Sequence, residues 1–203
     1  MESWNQAAKH AVDKIYGVIV DADGTDVTRH WIDEIIDKYY ESPVNHPYLI
    51  NLWEMLGSSA ISLSVEFDCS ISSEYVVQTL IRKQSDYGHE NIRRFGRQGL
   101  IIRCHDKVAR LENLCGGDFA PQNESVQDTL LDIIGYSAIA MMWEEGTFLL
   151  PLKRSKKKSL SLVANAPTRT LELHPAHRIE RSGEQKLPEE NHAQLDLPET
   201  FLV

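Results

Sequence analysis

The stretch NESVQDTLLDIIGYSAIAMMW (123–143) holds the side chains best suited to chemistry. Glu124, Asp128 and Asp132 follow one another at steps of four. On one continuous helix, residues so spaced stack along a single face with Cβ atoms about 6 Å apart. Like charges at that spacing destabilise a helix, so the row calls for something that neutralises it. A divalent cation is one candidate. Mg²⁺ is a hard ion that takes one or two carboxylates and keeps waters or substrate phosphates as its other ligands, and Mn²⁺ accepts similar donors. A set of basic side chains is the other, which would make the row a structural ion-pair network. Asp132 is the most telling of the three, because it lies among Leu130, Leu131, Ile133 and Ile134. A carboxylate in such a place is costly unless it is paired or metal-bound.

A second segment, RCHDKVARLENL (103–114), supplies the opposite charge. Arg103, Lys107 and Arg110 recur at steps of four and three and therefore share a helix face. Arginine grips phosphate with two parallel hydrogen bonds, and lysine offers a point charge. Asp106 is placed to pair with Arg110 or to add a further metal carboxylate. Two packed helices, one acidic and one mainly basic, would bracket a metal-chelated triphosphate.

The wider charge distribution fits a small anion better than a polymer. The 203 residues carry a formal charge of −9, with 42% hydrophobic and 25% charged side chains, an ordinary globular composition. From Arg82 to Arg110, however, eight basic residues stand against three acids. This is a basic island in an otherwise acidic body. A nucleic-acid polymer needs a basic surface that covers many phosphates, so no such partner is expected. No apolar run approaches the roughly 20 residues that span a bilayer, and the first residues lack the order of a secretory signal. Three cysteines, Cys69, Cys104 and Cys115, have no paired spacing and read as reduced thiols. A cytoplasmic setting is expected.

The elements that must position these groups read as helices. Residues 4–19 have helical spacing, and Thr25 or Asp26 is placed to cap a helix that ends at Ser42-Pro43. Residues 47–57 predict a short helix stopped by Gly57, and ISLSVEF (61–67) a helix or extended linker. SEYVVQTLIRKQ (73–84) predicts a helix broken at Asp86-Tyr87-Gly88, residues 97–114 another, and Asn123 or Ser125 caps a third that runs through Trp143. Beyond Pro151 the chain carries the basic run KRSKKKS and few large apolar residues, so 153–203 reads as a loosely structured tail. His174-x-x-His177 has ligand spacing only on a helix, which Pro175 opposes. The expected fold is all-α: an N-terminal helical segment (1–72), a helical core (73–152) and the tail.

Taken together, Lys83-x-x-Asp86-Tyr87-Gly88, Asn91, Arg103-x-x-Asp106-Lys107-x-x-Arg110-Leu111, Glu124-Ser125 and Asp128-Thr-Leu-Leu-Asp132 resemble the MazG-like, all-α nucleoside triphosphate pyrophosphatases. Within them the chain is similar to the nucleotide-modification-associated branch common in phages. The resemblance covers residues 73–145. Better-known members carry a Glu-Glu-x-x-Glu cluster where this chain has Asp106 alone, and a Glu-x-x-Asp motif where Asp128 and Asp132 stand four apart.

The resemblance implies a helical-bundle homodimer or homotetramer that splits a (deoxy)nucleoside triphosphate, with a weak leaning to deoxypurines, into monophosphate and pyrophosphate using Mg²⁺. Asp128 and Asp132, with Glu124 or Asp106, would hold the metal, and Glu124 is the candidate general base if it is not a ligand. Arg103, Lys107 and Arg110 would stabilise the departing pyrophosphate. Lys83, Asp86, Tyr87 and Asn91 would define the nucleoside end, Tyr87 by stacking and Asn91 by hydrogen bonding. Asp128→Asn and Asp132→Asn would each abolish pyrophosphate release. Two other readings stand beside this one. The same pocket would serve a sensor or sponge that binds nucleotides without turnover. GVIVDADGTDV (17–27) also matches the opening motif of haloacid-dehalogenase-type phosphatases, with Asp21 as nucleophile and Asp23 as acid/base at a strand end.

Overall fold

Side-chain capping sets several of the helix starts. Ser3 accepts a hydrogen bond from the Gln6 backbone N–H at the head of α1 (Trp4–Gly17), and Ser72 does the same for Tyr75 at the head of α4 (Ser73–Tyr87). Ser125 caps α7 (Val126–Glu144) with a reciprocal pair: its hydroxyl accepts from the Asp128 N–H, and the Asp128 carboxylate accepts from the Ser125 N–H. Between these lie α2 (Asp26–Glu41), α3 (Pro47–Glu66), the single turn α5 (Glu90–Arg93) and α6 (Gly96–Cys115). The computed structural model describes residues 1–18, 20–21, 24–41, 47–116 and 123–153. It is all-α, with no strand among the described residues. Asp23, Ser42-Pro43, the loop residues Gly117, Asp118 and Pro121, and the tail from residue 154 with His174 and His177 lie outside that set.

The axis of the fold is α7. Eleven of its 19 residues are buried, from Thr129 to Met142, as expected for a helix that is apolar nearly all round. It is packed most extensively by α3 and α6, with α1 and α4 completing the enclosure, while α2 lies on α3 and α6. Residues 1–72 and 73–152 therefore share one core. Trp4, Ile15, Ile32 and Trp53 from the first three helices join Leu100, Leu111, Ile134 and Met141 in the same buried cluster.

One expectation about α3 requires correction, since the helix does not stop at Gly57. Of the two readings of ISLSVEF, the helix is the one found, through Glu66. One 20-residue helix runs from Pro47 to Glu66. Gly57 is instead a point of close approach: a Cβ there would lie 2.9 Å from Ile15 Cγ2 and 3.2 Å from Ser137 Cβ. The missing side chain lets α1, α3 and α7 converge. The serines within 58–64 find carbonyl partners, Ser58 donating to Val18 at 2.6 Å and Ser64 to Ile61 at 2.7 Å. Burial in the helix then costs them little.

The segment GVIV also departs from a strand. Gly17 is the last residue of α1, and the described residues of 17–21 contain no β structure. Asp21 is exposed beyond a helix end, so the sheet that a haloacid-dehalogenase-type nucleophile requires is not formed among the described residues.

At the other end of the bundle, Arg97 of α6 and Glu144 of α7 form a nearly buried pair with two 2.5 Å hydrogen bonds. Gly96 beside it adopts φ +50°, and a Cβ there would sit 2.8 Å from Trp143. The segment after α7 returns to the chain start. Trp4 N–H donates to Pro151 O at 3.0 Å, and Asn5 exchanges two bonds with the Lys153 backbone. Among the described residues, no helix is long and apolar enough to cross a membrane.

Candidate functional site

Where α4 crosses α7 the two helices touch only lightly, and a cleft of about 350 Å³ opens between them. Gly135 faces Leu80 here, and Val76, Leu80, Leu131 and Ile139 give the cleft an apolar wall. The polar lining comes from five elements: Trp4 of α1, Thr79, Lys83, Gln84 and Tyr87 of α4, Asn91 of α5, Arg103 of α6, and Asp132 and Tyr136 of α7.

Asp132 is the electrostatic centre. Its side chain is only 15% exposed, yet both oxygens are engaged: Lys83 Nζ donates to Oδ1 at 2.7 Å and Lys107 Nζ lies 2.9 Å from Oδ2. Burial pushes the carboxyl pKa up, but the two ammonium groups outweigh it and hold the group below the usual carboxylate range. Lys107 also donates to Glu124 at 2.8 Å. Burial lowers the Lys107 pKa, and its hydrogen bonds to the two carboxylates raise it further than that.

Arg103 has no acidic partner among the described residues. Its guanidinium lies over the Tyr136 ring, 5.8 Å from the centroid, and Nη2 donates to the Asn91 carbonyl at 3.4 Å. A half-buried cation held by a ring and a carbonyl keeps its charge available to an incoming anion. Tyr87 is 67% exposed at the cleft, an open aromatic face.

Of the residues that the motifs singled out, Lys83, Tyr87, Asn91, Arg103 and Asp132 line this cleft, and Lys107 reaches it through Asp132. The others take different places. Glu124 precedes α7, so the acidic row does not continue onto it as one helix face. Asp128 is exposed and serves the N-cap, accepting from the Ser125 hydroxyl at 2.7 Å. Arg110 donates to the Thr129 hydroxyl and the Glu124 carbonyl, tying α6 to the start of α7. Asp86 and Asp106 are exposed and outside the cleft lining.

Trp4, Thr79, Gln84 and Tyr136 were not singled out from sequence. For two of them a signal exists. Gln84 continues the buried stripe Val76–Leu80 by one more step of four, and Tyr136 stands four after Asp132. Trp4 has none, because only the packing of α1 brings it to a cleft built 70 residues later.

A resident multi-acid metal centre does not fit this donor set. Among the described residues no group of three or more His, Cys, Asp or Glu side chains converges. What the cleft offers a hard cation is the single carboxylate of Asp132. Comparison with protein-family profiles, with curated proteins and with solved structures returned no match.

Proposed function

We propose that the cleft between α4 and α7 binds a (deoxy)nucleoside triphosphate and that the chain hydrolyses it to the monophosphate and pyrophosphate. The observation that carries this reading is the meeting of Lys83, Tyr87, Asn91, Arg103 and Asp132, from four separate helices, on one cleft. Those are motif residues of the MazG-like resemblance, and their chemistry divides as a nucleotide does. Lys83 and Arg103 suit phosphate oxygens, and Tyr87 offers a ring to stack on a base.

In this reading Arg103 and Lys83 take the charge that builds on the departing pyrophosphate as the bond from the α-phosphorus to its bridging oxygen breaks. Lys107 keeps Asp132 ionised and oriented. A Mg²⁺ or Mn²⁺ ion that arrived chelated by the triphosphate would need only the one carboxylate and would supply charge neutralisation. A homodimer or homotetramer belongs to the same proposal. Phe95, the residue before α6, and Ile102 within it, 65% and 54% exposed, flank Gly99, and a partner copy would cover them. The setting would be the cytoplasm, where such triphosphates are plentiful.

A second reading is favoured by one observation. Asp128 is occupied by its cap and Glu124 by Lys107, so neither carboxylate lies ready as a general base. The cleft would then bind nucleotides without turning them over, as a sensor or sponge does. Incubation with each of the eight common nucleoside triphosphates and Mg²⁺, with products separated by chromatography and binding followed by calorimetry, tests both. Monophosphate with equimolar pyrophosphate establishes the hydrolase. Tight binding without product establishes the second reading, and neither binding nor product overturns both.

A further inference from the structure

Seven buried side-chain N or O atoms among the described residues have no hydrogen-bond partner. Thr28, Trp31, Trp53 and Ser137 are spread through the helix packing, whereas Trp4 Nε1, Gln84 Nε2 and Asn91 Oδ1 belong to residues lining the one cleft described above. Buried polar groups are nearly always paired, and an unpaired one costs the free energy of its lost hydration. The three lie on three different helices around one cleft, and a ligand with matching polar atoms would satisfy them.

Their chemistry says which part of a ligand they meet. None of the three carries a charge, so they are poor phosphate sites. An indole N–H only donates, and a side-chain amide presents a donor and an acceptor in one plane. Paired amide groups of this kind read the edges of nucleobases. Trp4 is fully buried and Gln84 6% exposed, so neither is open to bulk solvent. Asn91 is further fixed to the charged side of the cleft, since its carbonyl accepts from Arg103.

Resting on the nucleotide reading above, we infer that Trp4, Gln84 and Asn91 form the base-reading subsite of this cleft. Their ligand is a heteroaromatic base whose edge offers two acceptors, to Trp4 and Gln84, and one donor, to Asn91. Lys83 and Arg103 take the phosphates. The N-terminal helix is thereby part of the specificity apparatus.

The test compares the parent chain with Gln84→Met and Trp4→Phe, each checked for parental helicity and melting. Binding of four nucleoside triphosphates differing only in base, and of inorganic tripolyphosphate, is measured by calorimetry. The expected result is a parent that prefers one base, variants that lose about tenfold in affinity for it and flatten the preference, and unchanged tripolyphosphate binding. If Trp4→Phe unfolds the chain, Gln84→Met alone decides. Variants that keep the parental preference overturn the inference while leaving the nucleotide reading intact. So does a parent that binds every base and tripolyphosphate alike, or a variant that weakens tripolyphosphate equally. A parent that binds tripolyphosphate but no nucleotide, or neither, overturns the nucleotide reading itself and the inference with it.

Discussion

Lys83 of α4 donates to Asp132 of α7 across 2.7 Å, and this contact spans the two helices that otherwise leave a cleft between them. Lys107 engages the other oxygen from α6, so one carboxylate joins three helices. A group with that many partners is both an anchor and a counter-charge, and replacing it separates these roles.

Asp132→Asn removes the negative charge and leaves Lys83 and Arg103 facing the cleft, while Lys107 keeps its bond to Glu124. Metal-dependent product release should disappear. Binding of a metal-free triphosphate should tighten several-fold, because the anion then meets Lys83 and Arg103 without a competing carboxylate. Calorimetry without divalent ions and product chromatography with them check the two halves separately.

The cap at α7 gives Asp128 a different expectation. Ser125→Ala should lower stability by about 1 kcal/mol, the usual cost of losing a side-chain N-cap. Asp128→Asn should cost no more than that and should keep most of the product release, in contrast to Asp132→Asn. Urea unfolding together with the product assay measures both; abolished release in a stable Asp128→Asn chain would show that the carboxylate leaves its cap to act on substrate.

Glu144→Gln strips a nearly buried carboxylate from Arg97 and leaves the guanidinium uncompensated. Breaking one side of such a pair costs about 3–5 kcal/mol. The double replacement Arg97→Met with Glu144→Met should recover much of the loss, since neither residue then buries a charge. Chemical denaturation of the three variants gives the comparison.

Gly57→Ala should destabilise the bundle even though alanine is the better helix former. The added methyl meets Ile15 Cγ2, Ile15 Cδ1 and Ser137 Cβ; only Cδ1 is the far end of a flexible side chain, so the other two contacts persist unless the helices shift. Overpacking of this kind costs about 1–3 kcal/mol, against a helix-propensity gain of about 1 kcal/mol. Gly57→Val, larger and β-branched, should be worse. Thermal melts of both rank them.

Acid should weaken the fold through Glu112 and Asp132. Arg29 grips Glu112 through two hydrogen bonds, 2.7 and 2.5 Å, and holds its carboxyl below the usual range, as the lysines do for Asp132. Both groups have a lower pKa folded than unfolded, so the unfolded chain binds more protons in acid. Their contribution is complete above the unfolded carboxylate range, near pH 4, and is lost as pH falls through the lower folded values. Glu112→Gln should flatten stability against pH below about pH 5 and leave the slope above it unchanged. Denaturant midpoints measured from pH 3 to 7 test this.

Local chemistry made the helices readable from the chain alone. Ser125 as a cap, Gly88 at φ +67° closing α4, and the apolar period of 73–143 all act within a few residues, and each was legible there. Asp132 was legible because a charge among apolar neighbours demands a partner, Arg103 because its spacing puts it on one helix face with Lys107 and Arg110, and Lys83 through the motif resemblance. Contacts between distant segments were not. Gly57 has the same identity whether it ends a helix or admits another, and only the packing of Ile15 and Ser137 decides which. The position of Glu124 before the cap, rather than on the helix, followed from Ser125 winning the N-cap over Asn123. Trp4 reaches the cleft through the packing of α1 against α4 and α7, a relation with no periodic trace in sequence. The sequence by itself determined which segments are helical and which charges require partners, because those depend on near neighbours. The tertiary structure decided which groups share the cleft, because that depends on how α1, α4 and α7 pack.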